Sequence, residues 1–90
     1  MSVAEGFALI DDACEWESSG RYQRAVTTFD GAGRVLRIAA SKESVEKRRT
    51  LLEQKAEDCF RWSRDLQNWI DNGKKSHPPR RQASIIQRHV

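Results

Sequence analysis

Apolar positions along the first 72 residues recur at steps of three and four, the spacing that places them on one face of a helix. Three segments carry this pattern, and none alternates apolar and polar residues as a strand would. The first runs from about Val3 to Ser18 and the second from about Arg21 to Ala40. The third begins near Ser41 or Ser44 and continues to about residue 71. The pattern therefore predicts an all-α fold with three helices.

The junction of the first two segments has the pattern of a helical hairpin. Residues 20–32 read Gly-x-Tyr-x-x-Ala-x-x-x-Phe-x-x-Ala. The glycine allows the first helix to end, and Tyr22 is predicted to wedge between the two helices. Ala25 and Ala32 are small enough for helix backbones to approach, with Phe29 filling the space between them.

The third segment contains a heptad seam with further apolar side chains beside it. Positions 45, 49, 52, 56, 59, 63, 66 and 70 alternate steps of four and three. At 100° per residue, Trp62 and Trp69 fall on one flank of the seam and Phe60 on the other. Two neighbouring helices would leave part of this surface uncovered, so the pattern predicts a groove on each side of the third helix.

Composition narrows the classes of function. Ninety residues with 38% apolar content permit one small domain. Cys14 and Cys59 lack the spacing of zinc ligands, and no phosphate loop or local Cys/His arrangement occurs, so we expect no enzyme activity, metal or cofactor. No run reaches the roughly eighteen apolar residues of a membrane span, and no signal-peptide pattern opens the chain. The default expectation is a cytoplasmic protein.

Charge is divided unevenly between the body and the C-terminal end. Residues 1–72 carry eleven Lys/Arg and thirteen Asp/Glu, whereas residues 73–90 carry five Lys/Arg and no acid. Asn72-Gly73 is a helix stop signal, and His77-Pro78-Pro79 cannot continue a helix. We therefore predict a folded domain over residues 1–72 and a disordered, basic, flexible linker or tail over residues 73–90. Binding of helix 2 and this tail to an acidic polymer such as tubulin or RNA is an alternative to a solvated linker.

The three segments together resemble the MIT (microtubule interacting and trafficking) domain family. The resemblance rests on Leu9 and Ala13, on the hairpin pattern, and on Lys-Ala-Glu-Asp-Cys-Phe-Arg-Trp-Ser-Arg-Asp-Leu at residues 55–66. It covers about residues 3–71. The hairpin alone also resembles a tetratricopeptide unit, although no second copy follows after about 34 residues. A tetratricopeptide-like adaptor is thus an alternative interpretation.

The resemblance to MIT domains implies an up-down-up bundle without catalysis that binds short C-terminal motifs of ESCRT-III subunits. Such a module, expected to be a monomer, recruits a parent protein to endosomal or other membrane-remodelling sites, and the parent can be an AAA ATPase, a kinase or a protease. The family places a helical motif between helices 2 and 3, a groove lined here by Val35, Leu36, Lys55, Phe60, Arg61 and Arg64. It places an extended motif between helices 1 and 3, a groove lined here by Phe7, Ile10, Trp62 and Trp69.

The third segment departs from the family pattern at several positions. Cys59 replaces an aromatic residue and Trp62 replaces an arginine. Arg61 and Arg64 stand where acids would meet a basic residue of a helical motif. Opposed like charges there would cost about 1 kcal/mol or more. We therefore expect weak binding of basic helical motifs, and hypothesise either a more acidic motif or use of the groove between helices 1 and 3.

Overall fold

Three helices form the described part of the chain. The structure is a computed structural model that describes residues 2–81, with α1 at Val3–Ser18, α2 at Tyr22–Ser41 and α3 at Glu46–Asp71. Short connections reverse the chain after α1 and after α2, and α2 packs against both other helices. The predicted all-α three-helix bundle is confirmed. Residues 82–90 of the predicted tail lie outside the described residues.

Both ends of α1 carry specific caps, and its bounds agree with the prediction. Ser2 Oγ accepts a hydrogen bond from the Glu5 N–H at 3.3 Å, and Glu5 Oε1 accepts one from the Ser2 N–H at 3.1 Å. At the other end, Gly20 has a φ of +81°. The Arg21 N–H donates to the Trp16 carbonyl at 2.8 Å, which satisfies a carbonyl of the last turn.

The start of α3 differs from the prediction. Ser41 belongs to α2, where its hydroxyl donates to the Ile38 carbonyl at 2.6 Å, so it is not available to cap the next helix. The cap position of α3 is Val45, which offers no side-chain hydrogen bond. Glu43 accepts from the Val45 N–H at 3.3 Å and thereby orders the connection. Serine at position 41 or 44 was therefore a misleading signal for the beginning of this helix.

The hydrophobic core is centred on α2. Phe29 is buried and its ring meets Trp62 of α3 edge to face, with centroids 5.7 Å apart. Ala25 and Ala32 are fully buried, as expected of residues that let helices approach. The Tyr22 ring packs against Trp69 of α3, with centroids 4.9 Å apart, rather than wedging between α1 and α2 alone. The other fully or nearly fully buried apolar residues are Ala13, Leu36, Ala40, Ala56, Cys59 and Leu66.

Two glycines mark the closest approaches between helices. A Cβ placed on Gly6 of α1 would lie 2.5 Å from Leu36 Cδ2 in α2. A Cβ placed on Gly33 of α2 would lie 2.8 Å from Phe60 Cε1 in α3. Glycine at these two positions therefore favours close packing, since a Cβ would force the neighbouring side chain to shift and neither residue has the positive φ that would require glycine for the backbone. These contacts bring both outer helices against α2.

Candidate functional site

Two concave surfaces lie on opposite sides of the C-terminal half of α3. The first, here called the α2/α3 surface, is lined by Val26, Thr27, Asp30, Phe60, Ser63, Arg64, Gln67 and Asn68. The second, here called the α1/α3 groove, lies where α1 and α3 make little direct backbone contact. Its described lining is Glu17, Phe29, Trp62, Asp65, Leu66 and residues 79–81. Both surfaces lie where the sequence predicted grooves.

Phe60 on the α2/α3 surface is half-buried and already contacts α2. One edge of its ring approaches Gly33, and the Arg37 guanidinium carbon lies 4.5 Å from the ring centroid. Arg37 also donates to Glu57 Oε1 at 2.8 Å, which holds the guanidinium in place. Arg64 is exposed on the same surface. The structure thus places Phe60 and Arg64 on the surface where the sequence predicted them, and a ligand reaches the Phe60 face that Arg37 covers only if Arg37 moves.

Val35 and Leu36, predicted on the α2/α3 side, do not line that surface. Both are buried, and both side chains lie beside Gly6 of α1. The reason is helical geometry: Val35 lies 200° around α2 from Gly33, the residue that faces Phe60. The prediction for these two residues was wrong because a broad apolar face does not reveal which neighbour each side chain meets.

Lys55 and Arg61 are also absent from the α2/α3 surface. Lys55 Nζ lies 5.4 Å from the centroid of the Trp62 ring, on the flank of α3 that faces α1. Arg61 is half-buried and its Nη2 lies 3.0 Å from Asp58 Oδ1. Lys55 is five residues from Phe60 and therefore about 140° away around the helix. Of the two arginines expected to repel a basic helical motif, Arg61 and Arg64, the α2/α3 surface therefore carries Arg64.

Asp58 is a buried acid that the sequence did not single out. Its side chain is fully buried, Oδ1 accepts a hydrogen bond from Arg61, and Oδ2 has no hydrogen-bond partner among residues 2–81. Asp58 precedes Trp62 by one turn, so it belongs to the same flank of α3. Buried carboxylates usually have a cationic partner. In the sequence, the sign that Asp58 could be buried was therefore Arg61, which follows it by three residues.

The floor of the α1/α3 groove is apolar and its walls carry acids. Phe29, Trp62 and Leu66 are buried there, with Glu17 on α1 and Asp65 on α3 beside them. The acids favour a ligand that combines apolar and basic groups.

Cys59, three residues before Trp62 on α3, is fully buried in the core. Burial raises the pKa of the Cys59 thiol to about 12, and the nearby Asp58 and Cys14 add to the effect while Lys55 opposes it. The thiol is therefore protonated at neutral pH and behaves as a small apolar residue.

The four residues predicted to line the groove between α1 and α3 are spread along the length of these helices. They are Phe7, Ile10, Trp62 and Trp69. Cys14 of α1 lies close to Cys59 of α3, and Phe7 is two turns before Cys14 on the same stripe of α1. Trp69 is ten residues beyond Cys59, so Phe7 and Trp69 are about 25 Å apart along the groove at a rise of 1.5 Å per residue.

Each of these four side chains has a different degree of burial. Ile10 is half-buried against the core, Trp62 is buried in the floor, and Phe7 is 41% exposed. Trp69 packs instead on Tyr22. Of these four residues, Trp62 belongs to the described lining of the groove, whereas the placement of Phe7 beside it stays a prediction.

The described part of the predicted tail, residues 73–81, folds back onto the bundle and is here called the strap. It contains no helix or strand. The Trp69 Nε1–H donates to the Ser76 carbonyl at 3.2 Å. Arg81 forms an ion pair with Glu17 of α1, and its guanidinium carbon lies 5.8 Å from the centroid of the Phe29 ring. Sequence patterns carry no signal for this contact because its partners are 64 positions apart.

No family model matches this chain, and comparison with curated proteins and with solved structures finds no significant match. Within residues 2–81, none of the three helices combines the length and apolar character needed to cross a membrane.

Proposed function

We propose that this chain is a non-catalytic docking module of the MIT type that binds short C-terminal motifs of ESCRT-III subunits. Through such motifs it would bring a parent protein to endosomal or other membrane-remodelling sites. The family resemblance of residues 3–71 and the three-helix bundle support this proposal. The observation that carries it is the α1/α3 groove, which has an apolar floor and is lined in part by a proline-containing segment of this chain.

The α1/α3 groove is the better of the two candidate binding surfaces. On the α2/α3 surface, Arg37 stacks on the ring of Phe60, so a helical ligand that uses that face of the ring would have to displace it. In the α1/α3 groove, Pro79 and its neighbours line the same cavity as Phe29 and Trp62. An extended peptide needs only such a narrow apolar channel, with its side chains alternating between floor and solvent.

The charges of this groove define the preferred ligand. Glu17 is only 14% exposed at its side chain, and its described cationic partner is Arg81. A peptide that places a basic residue near Glu17 and apolar or proline residues over Trp62 would match both features.

The test is fluorescence anisotropy of labelled C-terminal peptides from a full set of ESCRT-III subunits. We expect saturable binding of one or more peptides at micromolar Kd, typical of short motifs. Phe7→Asp adds a charge two turns before Cys14 on the same stripe of α1, where the sequence predicts the groove to continue, and should weaken binding by tenfold or more. Ile38→Asp on α2 is the matched control, since Ile38 is 40% exposed and Phe7 is 41% exposed.

Three outcomes decide the proposal. Loss with Phe7→Asp and retention with Ile38→Asp supports the α1/α3 groove. Loss only with Phe60→Asp would assign binding to the α2/α3 surface. Failure of every peptide to bind wild-type protein would contradict the proposed class of partner.

A second candidate function, binding of an acidic surface such as that of tubulin, is favoured by a basic corner of the bundle. Arg21, Arg24 and Lys74 line one cavity at the beginning of α2. Arg24 stacks over Trp16 at 4.9 Å, and Lys74 lies 5.4 Å from the Tyr22 ring, so both charges are held at the surface. Tubulin co-sedimentation should then fall steeply with salt and with Arg24→Glu, and should not respond to Phe7→Asp.

A further inference from the structure

The chain turns back on itself directly after α3. The Gly73 N–H donates to the Ile70 carbonyl and the Lys74 N–H to the Trp69 carbonyl, both at 3.0 Å, which closes the helix end. Gly73 has a φ of +82°, and two residues with side chains follow in the same region: Lys74 at +56° and Ser76 at +114°. Such conformations are unfavourable for residues with a Cβ, so they need compensating contacts.

The compensating contacts hold the first half of the strap against the end of α3. Trp69 donates its indole N–H to Ser76, and Lys74 places its ammonium group over Tyr22, which itself packs on Trp69. Because this anchor reverses the chain direction, the residues that follow run along the bundle instead of away from it. The two prolines, Pro78 and Pro79, then keep the backbone extended.

The second half of the strap reaches the α1/α3 groove. Pro79 and Arg81 line the cavity formed by Phe29, Trp62 and Leu66. Pro78 and Pro79 are half-buried, although the strap has no secondary structure of its own. Arg81 meets both Glu17 and the Phe29 ring, so it uses the acid wall and the aromatic floor together. The strap therefore has the apolar-plus-basic character that this groove favours.

We propose that strap residues 77–81 are an intramolecular ligand of the α1/α3 groove, and that an external peptide binds there only when the strap leaves. The competition with an external peptide rests on the proposed function, whereas the intramolecular contact does not. Attachment at Gly73 gives the strap an effective concentration in the millimolar range, so even weak contacts compete with a micromolar peptide. The apparent affinity of the peptide is lowered by the fraction of open molecules.

The intramolecular contact is tested first, without a partner, on the full 90-residue chain. Nuclear Overhauser effects between Pro79 or Arg81 and the rings of Phe29 and Trp62 should appear in the wild-type protein. Arg81→Glu places a second acid beside Glu17 and should abolish them. Lys75→Glu makes the same charge change at an exposed strap position and should retain them. Absence of these effects in the wild type, or their persistence in Arg81→Glu, would overturn the proposal.

Exchanging the two charges distinguishes loss of the Arg81–Glu17 ion pair from any other effect of substituting Arg81. Glu17→Arg combined with Arg81→Glu restores opposite charges across the groove and should restore the same Overhauser effects. If the double variant behaves like Arg81→Glu alone, the Glu17 contact does not hold the strap.

Competition is tested with a synthetic peptide of residues 73–90 added in trans. It should shift the groove resonances of Arg81→Glu protein and leave those of wild-type and Lys75→Glu protein nearly unchanged. Equal shifts in all three proteins, or none in any, would refute occupancy by the strap. This assay needs no ESCRT-III peptide, so it decides the inference even if the proposed partner is wrong.

With an ESCRT-III peptide that binds, Arg81→Glu should lower the apparent Kd about fivefold relative to Lys75→Glu, the effect of removing one ion pair of modest strength. An unchanged Kd would refute the competition. If no such peptide binds any of the proteins, the proposed class of partner is wrong. The Overhauser measurements and the titration with the 73–90 peptide still show whether the strap occupies the groove.

Discussion

Replacing Gly33 with alanine should push Phe60 outward and destabilise the bundle. A Cβ at position 33 would lie 2.8, 2.9 and 3.0 Å from three atoms of the Phe60 ring. Comfortable carbon contacts are about 3.5–4.0 Å, so the ring must move by roughly 0.5–1 Å. Overpacking of this kind costs about 1–3 kcal/mol, and the better helix propensity of alanine offsets about 1 kcal/mol of it. The net loss of unfolding free energy should be about 0–2 kcal/mol.

Gly31 in the same helix provides the matched control. A Cβ there would meet no atom within 4 Å, so Gly31→Ala keeps the gain in helix propensity without the clash. It should stabilise the protein by up to about 1 kcal/mol. Urea unfolding followed by circular dichroism measures both variants, and their free energies should differ by about 1–3 kcal/mol.

A smaller side chain at position 60 should remove most of this difference. Phe60→Leu shortens the group that opposes the new methyl, so the Gly33→Ala and Phe60→Leu changes should couple favourably in a double-mutant cycle. If Gly33→Ala is as stabilising as Gly31→Ala, the close packing of Phe60 on α2 is incorrect. The Phe60 placement on the α2/α3 surface would then fail with it.

Three further predictions concern other parts of the molecule. Burial raises the folded-state pKa of Cys59 to about 12 from an ordinary value of 9.0, so this group contributes stability below pH 9 that is lost as the pH rises from 9 towards 12. Urea titrations should show the wild-type unfolding free energy falling relative to that of Cys59→Ala by on the order of 1 kcal/mol per pH unit above pH 9, and a constant difference would contradict the burial. Ser2→Ala removes half of the α1 capping box and should cost about 1 kcal/mol in thermal or urea unfolding, whereas Ser44→Ala, at an exposed position that caps no helix, should cost almost nothing. Arg64→Glu should leave the Kd of a groove-binding peptide unchanged in anisotropy, since Arg64 lies on the α2/α3 surface; a tenfold change would move the site there.

The helices were largely predictable from sequence because their signals are local. The three- and four-residue spacing defines α1 and α2 to within a residue, and Gly20 marks the turn between them. The start of α3 was predicted too early, because Ser41 uses its hydroxyl at the end of α2. A serine can cap the helix that follows it or bond to a carbonyl of the helix that it ends, and residue type alone does not specify which of these hydrogen bonds forms.

The candidate site was predicted only in part because it depends on contacts between helices. The flank assignments of Phe60 and Trp62 follow from 100° per residue and agree with the structure. The assignment of Leu36 to a groove was wrong, since it is buried beside Gly6 of α1. An apolar side chain on a central helix can face either neighbour, and only the three-dimensional packing distinguishes them.

The strap was the least predictable feature. Prolines and basic residues without acids are typical of a solvated linker, and that was the expectation for residues 73–90. The described half instead returns to the bundle through Ser76 and Arg81. The Arg81–Glu17 contact joins residues 64 positions apart, and the Ser76 contact uses a backbone carbonyl, so neither has a periodicity or residue pattern from which to infer it.

The central claim is that a short peptide docks in the α1/α3 groove, and chemical-shift mapping on the isotope-labelled 90-residue chain tests it most directly. An ESCRT-III C-terminal peptide titrated to saturation should shift the resonances of Cys14, Glu17 and Trp62, with those of Arg81 changing as the strap is displaced. Thr27 and Arg64 on the α2/α3 surface should be nearly unaffected. Shifts centred on Thr27 and Arg64, or no shifts with any peptide of the set, would contradict the claim.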